Sequence, residues 1–189
     1  MKERKMVVRL ALLAGVLLLM SGCASSVMTR TEPQALNNAD RALVTFVRTS
    51  LFGGAIQFGI WDGADFVGVL SAKSYVQYLA KPGKHVFLAR GENWSYVKAD
   101  LEGGKEYFII GKVFPGIWKA RVALDPVVNG DGTNQADIDK WLAELTPTKV
   151  IPEKFDGYVT PRVEQVGAAA GEVDNGEVKF EVLNREDGR

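Results

Sequence analysis

The sequence predicts a mainly β protein: an antiparallel β-sandwich of about 7–8 strands with two helices after it. Three observations carry this. Short β-rich runs recur from Arg41 to Pro126, and Gly, Asp and Pro turn signals separate them. Several runs alternate apolar and polar residues, the period of a strand with one buried face. After Pro126 the pattern changes to apolar residues at helical spacing.

The chain opens on Lys2, Arg4, Lys5 and Arg9, followed by the apolar run Leu10–Met20 and then Ser21-Gly22-Cys23. A basic start, a short apolar stretch and small residues before a cut define an export signal over residues 1–22. The run is too short for a transmembrane helix, which needs about 20 apolar residues. Met20-Ser21-Gly22-Cys23 resembles the lipobox of bacterial lipoproteins, with methionine where leucine is commoner, and Cys23 is the only cysteine in the chain. The resemblance implies cleavage between Gly22 and Cys23 and acylation of Cys23. Each buried lipid methylene contributes about 0.8 kcal/mol, so two or three acyl chains would hold where one holds only marginally. In two-membrane bacteria an aspartate after the lipid cysteine favours the inner membrane. Ala24 stands there, so the resemblance implies the outer membrane, with the domain facing the periplasm.

Residues 23–40 are polar, include Pro33 and lack an apolar period. They read as a flexible tether of about 17 residues with a reach near 20–25 Å. The β domain is expected over 41–126. Its strands are Ala42–Thr49, Ala55–Trp61, Phe66–Ser71, Tyr75–Ala80, His85–Arg90, Trp94–Leu101, Tyr107–Val113 and Trp118–Leu124. In Trp94–Leu101, Val97, Ala99 and Leu101 share one face; Trp94, Tyr96, Lys98 and Asp100 share the other. Trp61 lies with Gln57 on the polar side of its strand.

Residues 127–189 read as a helical extension packing on the sandwich. Ile138, Trp141, Leu142 and Leu145 give Ala136–Leu145 one apolar face, and Pro147 stops it. Thr146–Asp156 reads as extended and irregular. A second helix is expected from Pro161 to about Ala170, weakened by Gly167 and Gly171, and a short strand at Val178–Leu183.

Composition excludes several function classes. The chain holds 23 basic and 23 acidic residues; without 1–22 it keeps 167 residues, 19 basic and 22 acidic, a net charge of −3. No excess positive charge is present to bind nucleic acid. With Cys23 acylated, no thiol is left for a disulfide, a metal or a nucleophile. The one histidine, His85, belongs to no HExxH pattern and no GxSxG elbow accompanies it. It reads as an ordinary strand residue, so neither catalytic residues nor a cofactor are expected. Asn129-Gly130-Asp131-Gly132 resembles part of a calcium loop. Its first and twelfth places, Val127 and Ile138, cannot ligate, and a turn into a capped helix explains it instead. Trp61, Trp94 and Tyr96 are candidate ligand-binding aromatics for an envelope glycan or peptide; the competing reading buries them under the C-terminal helices.

Across residues 41–113 the chain resembles a family of uncharacterised bacterial lipoproteins with a small β domain. The matching pieces are Ala42-Leu43-Val44-Thr45-Phe46-Val47-Arg48, Asp62-Gly63, Val67-Gly68-Val69-Leu70, Ser74-Tyr75-Val76-Gln77-Tyr78, Pro82-Gly83-Lys84-His85 and Gly104-Lys105-Glu106-Tyr107-Phe108. The order of parts is also similar to immunoglobulin-like or prealbumin-like modules. The family carries no catalytic residues to transfer. The functional expectation is a lipid-anchored, non-enzymatic envelope protein whose partner is membrane lipid through Cys23 and an envelope protein or peptidoglycan.

Overall fold

The computed structural model describes residues 27–176 and 178–189; Cys23 and the expected signal segment lie outside them. Among the described residues there are eleven strands and three α-helices. The strands are β1 Met28–Arg30, β2 Ala42–Arg48, β3 Phe58–Asp62, β4 Asp65–Leu70, β5 Ser74–Ala80, β6 Gly83–Arg90, β7 Trp94–Leu101, β8 Glu106–Phe114, β9 Arg121–Pro126, β10 Thr146–Val150 and β11 Glu181–Leu183. The helices are α1 Gln135–Glu144, α2 Phe155–Val159 and α3 Val163–Asp174.

The strands form two sheets, ordered β1-β10-β5-β2-β8-β9 and β11-β7-β6-β3-β4. Val44 and Phe46 from the first and Phe58, Ile60, Phe87 and Val97 from the second belong to one buried cluster. Phe46 and Phe87 meet across it edge to face, centroids 5.2 Å apart, the arrangement that ring quadrupoles favour. The alternation in β7 holds except at Tyr96, which is buried as well. Val97, Ala99 and Leu101 are buried in that cluster, and the opposite face carries half-buried Trp94, Lys98 and Asp100.

The sheets are mixed, where an antiparallel pattern was expected. β2 pairs with β8, β5 with β10 and β7 with β11, all parallel. Parallel neighbours need a long crossover, and β2 reaches β8 only after the chain has built β3 to β7. Alternation reports a buried face but not strand direction.

Four further departures have local causes. The stretch expected as a tether contains β1, whose Met28 pairs with Val150 of β10. Downstream, the Gln34 amide N–H donates to Gln77 Oε1 at 2.7 Å. Ala39 lies so close to Gly103 that a Cβ there would be 2.0 Å from its carbonyl oxygen. The residues expected to be irregular after α1 form β10, where Thr148 Oγ1 donates to the Tyr75 carbonyl. β3 starts at Phe58 rather than Ala55, because the buried Arg48 guanidinium draws the carbonyls of Phe52, Gly53 and Ile56 inward and curls residues 49–57. β9 starts at Arg121 rather than Trp118, which leaves Ile117 and Trp118 in the hairpin loop after β8.

The C-terminal part holds three helices instead of two. α1 carries a capping box in which Asn134 and Asp137 satisfy each other's backbone N–H. α3 tolerates Gly167 and Gly171, since Val166, Ala169 and Val173 give it a continuous buried face. The final strand is confined to Glu181–Leu183, and the terminus is fixed by reciprocal backbone bonds between Arg189 and Glu106. No helix among the described residues is long and apolar enough to cross a membrane.

Candidate functional site

Two cavities bear on function. The larger, about 600 Å³, is bordered by Asp62, His85, Lys98 and Asp100. His85 Nδ1–H donates to Asp62 Oδ2 at 2.6 Å, and Nε2–H donates to the Lys81 carbonyl at 2.7 Å. Both ring nitrogens face acceptors, a pattern that only the doubly protonated imidazolium satisfies. The hydrogen bond to Asp62 accordingly raises the His85 pKa, against the opposing effect of burial. The same carboxylate, after burial itself, helps push the Tyr78 hydroxyl up to about 12. Both ring nitrogens are thus engaged inside the protein, Nδ1 by Asp62 and Nε2 by the Lys81 carbonyl. The dyad ties the end of β3 to the β5–β6 turn.

The second cavity, about 300 Å³, opens where β3 begins, β6 ends and α3 starts. Trp61 and Trp94 line it, together with Arg90, Lys119 and Arg162. Arg90 lies over the Trp94 ring at 5.1 Å and hydrogen-bonds Gln165. Arg162 lies over Tyr158 at 4.1 Å and donates to that residue's carbonyl at 2.7 Å. None of the three cations forms a salt bridge among the described residues, and no carboxylate lines the cavity. Gly59 in its floor admits the Tyr158 hydroxyl, which a Cβ would meet at 2.9 Å. This is a positive, aromatic-walled recess.

The three aromatic candidates separate here. Trp61 is only 2% exposed, its ring 4.9 Å from Phe66, which stacks on Tyr158 of α2. Tyr96 is 4% exposed, and its hydroxyl donates to Glu172 of α3 at 3.2 Å. Burial, then the Glu172 charge and hydrogen bond, push that hydroxyl up to about 12. Trp94 alone stays half-buried at the cavity. The helices cover most of the aromatic face because their own apolar stripes need a partner.

The calcium-like loop is spent on its own turn. Asp131 accepts backbone N–H bonds from Val128 and Thr133. Asn129 is tied to Glu186 and Asp187 near the C-terminus.

Sequence reasoning passed over the three cations and two apolar loop tips beside them. Leu51 and Phe52 follow β2, and Ile117 and Trp118 follow β8; Trp118 is 90% exposed. Pro115-Gly116 before Ile117-Trp118 was the available signal, a turn that places two large apolar residues at a hairpin tip. Comparison with protein-family models, curated proteins and solved structures finds no match to this chain.

Proposed function

We propose that this chain is a lipid-anchored β-sandwich protein of the bacterial envelope that acts by interaction. The observation that carries the reading is the lone cysteine in Met20-Ser21-Gly22-Cys23, behind a basic and apolar leader. The position of β1 sharpens it. Four Cα–Cα links separate Cys23 from Val27, and they span at most about 14 Å. An acylated Cys23 would therefore hold the domain close to the lipid head groups instead of at the end of a long leash.

We read the two sheets as the faces of a sandwich of immunoglobulin-like or prealbumin-like kind, with β2 between β5 and β8 in one sheet and β3 in the other. The glycan or peptide platform expected of Trp61, Trp94 and Tyr96 retains one half-buried ring, so the weight of an interaction role moves to the positive cavity and the apolar loops.

Fractionation of cells that express the chain and a Cys23→Ala variant tests the anchoring. The native chain should move to the detergent phase and the variant should lose that partitioning. A variant that still moves to the detergent phase would defeat the proposal.

A further inference from the structure

One end of the molecule combines exposed apolar loop tips with a cluster of cations. β2 and β8 are parallel and finish at the same end, where residues 49–57 and 115–120 form adjacent loops. Gly53 of the first packs against Val113 beside the second, so closely that a Cβ would lie 2.9 Å from the valine methyl. Their apolar tips point to solvent: Leu51 is 69% exposed, Phe52 58% and Ile117 84%. Exposed large apolar side chains gathered on two adjoining loops mark an interaction site more often than scattered ones do.

Each tip is held by one charged side chain, the first by a buried arginine and the second by an exposed glutamate. The Arg48 guanidinium, fully buried, donates to the carbonyls of Phe52 and Gly53 at 2.9 and 2.8 Å and to that of Ile56. The Glu92 carboxylate accepts the backbone N–H groups of Ile117, Trp118 and Lys119 at 3.3, 2.8 and 2.8 Å. The apolar residues are thus presented on pre-ordered backbones, which lowers the ordering cost of docking.

Beside the second tip lie the three cations, none in a salt bridge among the described residues. Lys119 belongs to the second loop, and it borders the same recess as Arg90 and Arg162. Apolar tips with basic residues beside them follow the layering of an interfacial membrane contact: acyl boundary outside, anionic head groups next. Tryptophan at the tip fits the head-group level.

We infer that this end docks on a bilayer surface containing anionic lipid, with Leu51, Phe52, Ile117 and Trp118 entering the acyl boundary and Arg90, Lys119 and Arg162 meeting lipid phosphate. The inference rests on the envelope reading; β1, next to Cys23, lies at the far edge of the first sheet from β8 and β9, so an anchored molecule makes both contacts by lying along the bilayer. Its test is independent of the anchor.

Residues 24–189 contain every described strand and helix and lack Cys23, so this chain is used without acylation. It is sedimented with phosphatidylglycerol–phosphatidylethanolamine vesicles and with phosphatidylcholine vesicles. It should bind the anionic vesicles roughly tenfold or more tightly, and the preference should shrink with added salt. An Ile117→Ser/Trp118→Ser variant should lose about tenfold or more in partitioning. An Arg90→Gln/Lys119→Gln variant should lose a similar factor and show a flatter salt dependence. Brominated acyl chains should quench native fluorescence, and Trp118→Phe should remove that quenching while binding persists. Three results would overturn the inference: no sedimentation with anionic vesicles, equal binding to phosphatidylcholine, or binding that the tip variant leaves unchanged. Thermal melting of each variant, altered only at exposed positions, verifies that it is folded. Failure here would leave acylation of Cys23 standing, and absence of acylation would leave this result standing.

Discussion

Replacing Arg48 by methionine probes the internal strut of the first loop. Arg48 ends β2, is fully buried, and spends its guanidinium on three loop carbonyls while its face lies 5.8 Å from the Phe58 ring. Burial pulls its pKa below the usual arginine value without a carboxylate nearby to compensate. Methionine fills much of the volume but makes none of the bonds. Each lost bond is worth about 1–1.5 kcal/mol net, so three give roughly 3–4.5 kcal/mol. Relief from burying an unpaired charge returns part of this, and we expect a net loss of about 2–4 kcal/mol. For a domain of this size each kcal/mol lowers Tm by about 2–4 °C, which places the fall near 4–16 °C. Urea unfolding gives the free energy, and limited proteolysis should find new cleavage within 49–57. A loss under about 0.5 kcal/mol, comparable to an ordinary surface substitution, with the loop still protected, would refute the strut.

Three further outcomes follow from the same structure. Because the folded His85 pKa is raised by Asp62, its contribution is fully present below the unfolded value of about 6.5 and is lost as pH rises through the folded one. His85→Gln should therefore narrow the gap in urea midpoint between acidic and alkaline buffer; an unchanged gap would remove the imidazolium assignment. Gly103→Ala forces a Cβ onto the Ala39 carbonyl and should cost about 1–3 kcal/mol by urea unfolding, with faster amide exchange around Asn38–Arg41. Stability equal to the parent would show that this segment is not docked. Glu92→Ala leaves three N–H groups of the 117–119 turn without their acceptor; hydrogen exchange there should rise while exchange in β2 and β8 stays as it was.

The parts that could be read from the residues are those whose signal is local. β2 and β4 to β8 fall within a few residues of their expected places because each is an apolar or alternating run closed by a turn. α1 was legible for a similar reason, an i, i+3, i+4, i+7 stripe behind Asn134. β11 falls inside the expected strand Val178–Leu183, whereas β1 and β10 are three and five residues long and become strands only through a partner, so no periodicity announces them. The same holds for the parallel pairing of β2 with β8.

The candidate site was less legible. Trp94 was singled out for sharing a face with charges, but Arg90, Lys119 and Arg162 come from three separate stretches that the fold alone brings together. Trp118 follows the Pro115-Gly116 turn signal and reads as the start of the strand Trp118–Leu124. In the structure the Glu92 carboxylate holds that segment as a turn. Arg48 gave no warning either: a basic residue closing an apolar strand reads as solvent-facing, and only the returning loop supplies its acceptors.

The most direct test of the whole account is the intact mass of the N-terminal peptide from protein purified out of bacterial membranes. The account predicts a peptide that begins at Cys23 and carries the added mass of a diacylglyceryl group, with or without a third acyl chain on its amine. A peptide that begins at Met1, or one cut elsewhere with Cys23 unmodified, would contradict it.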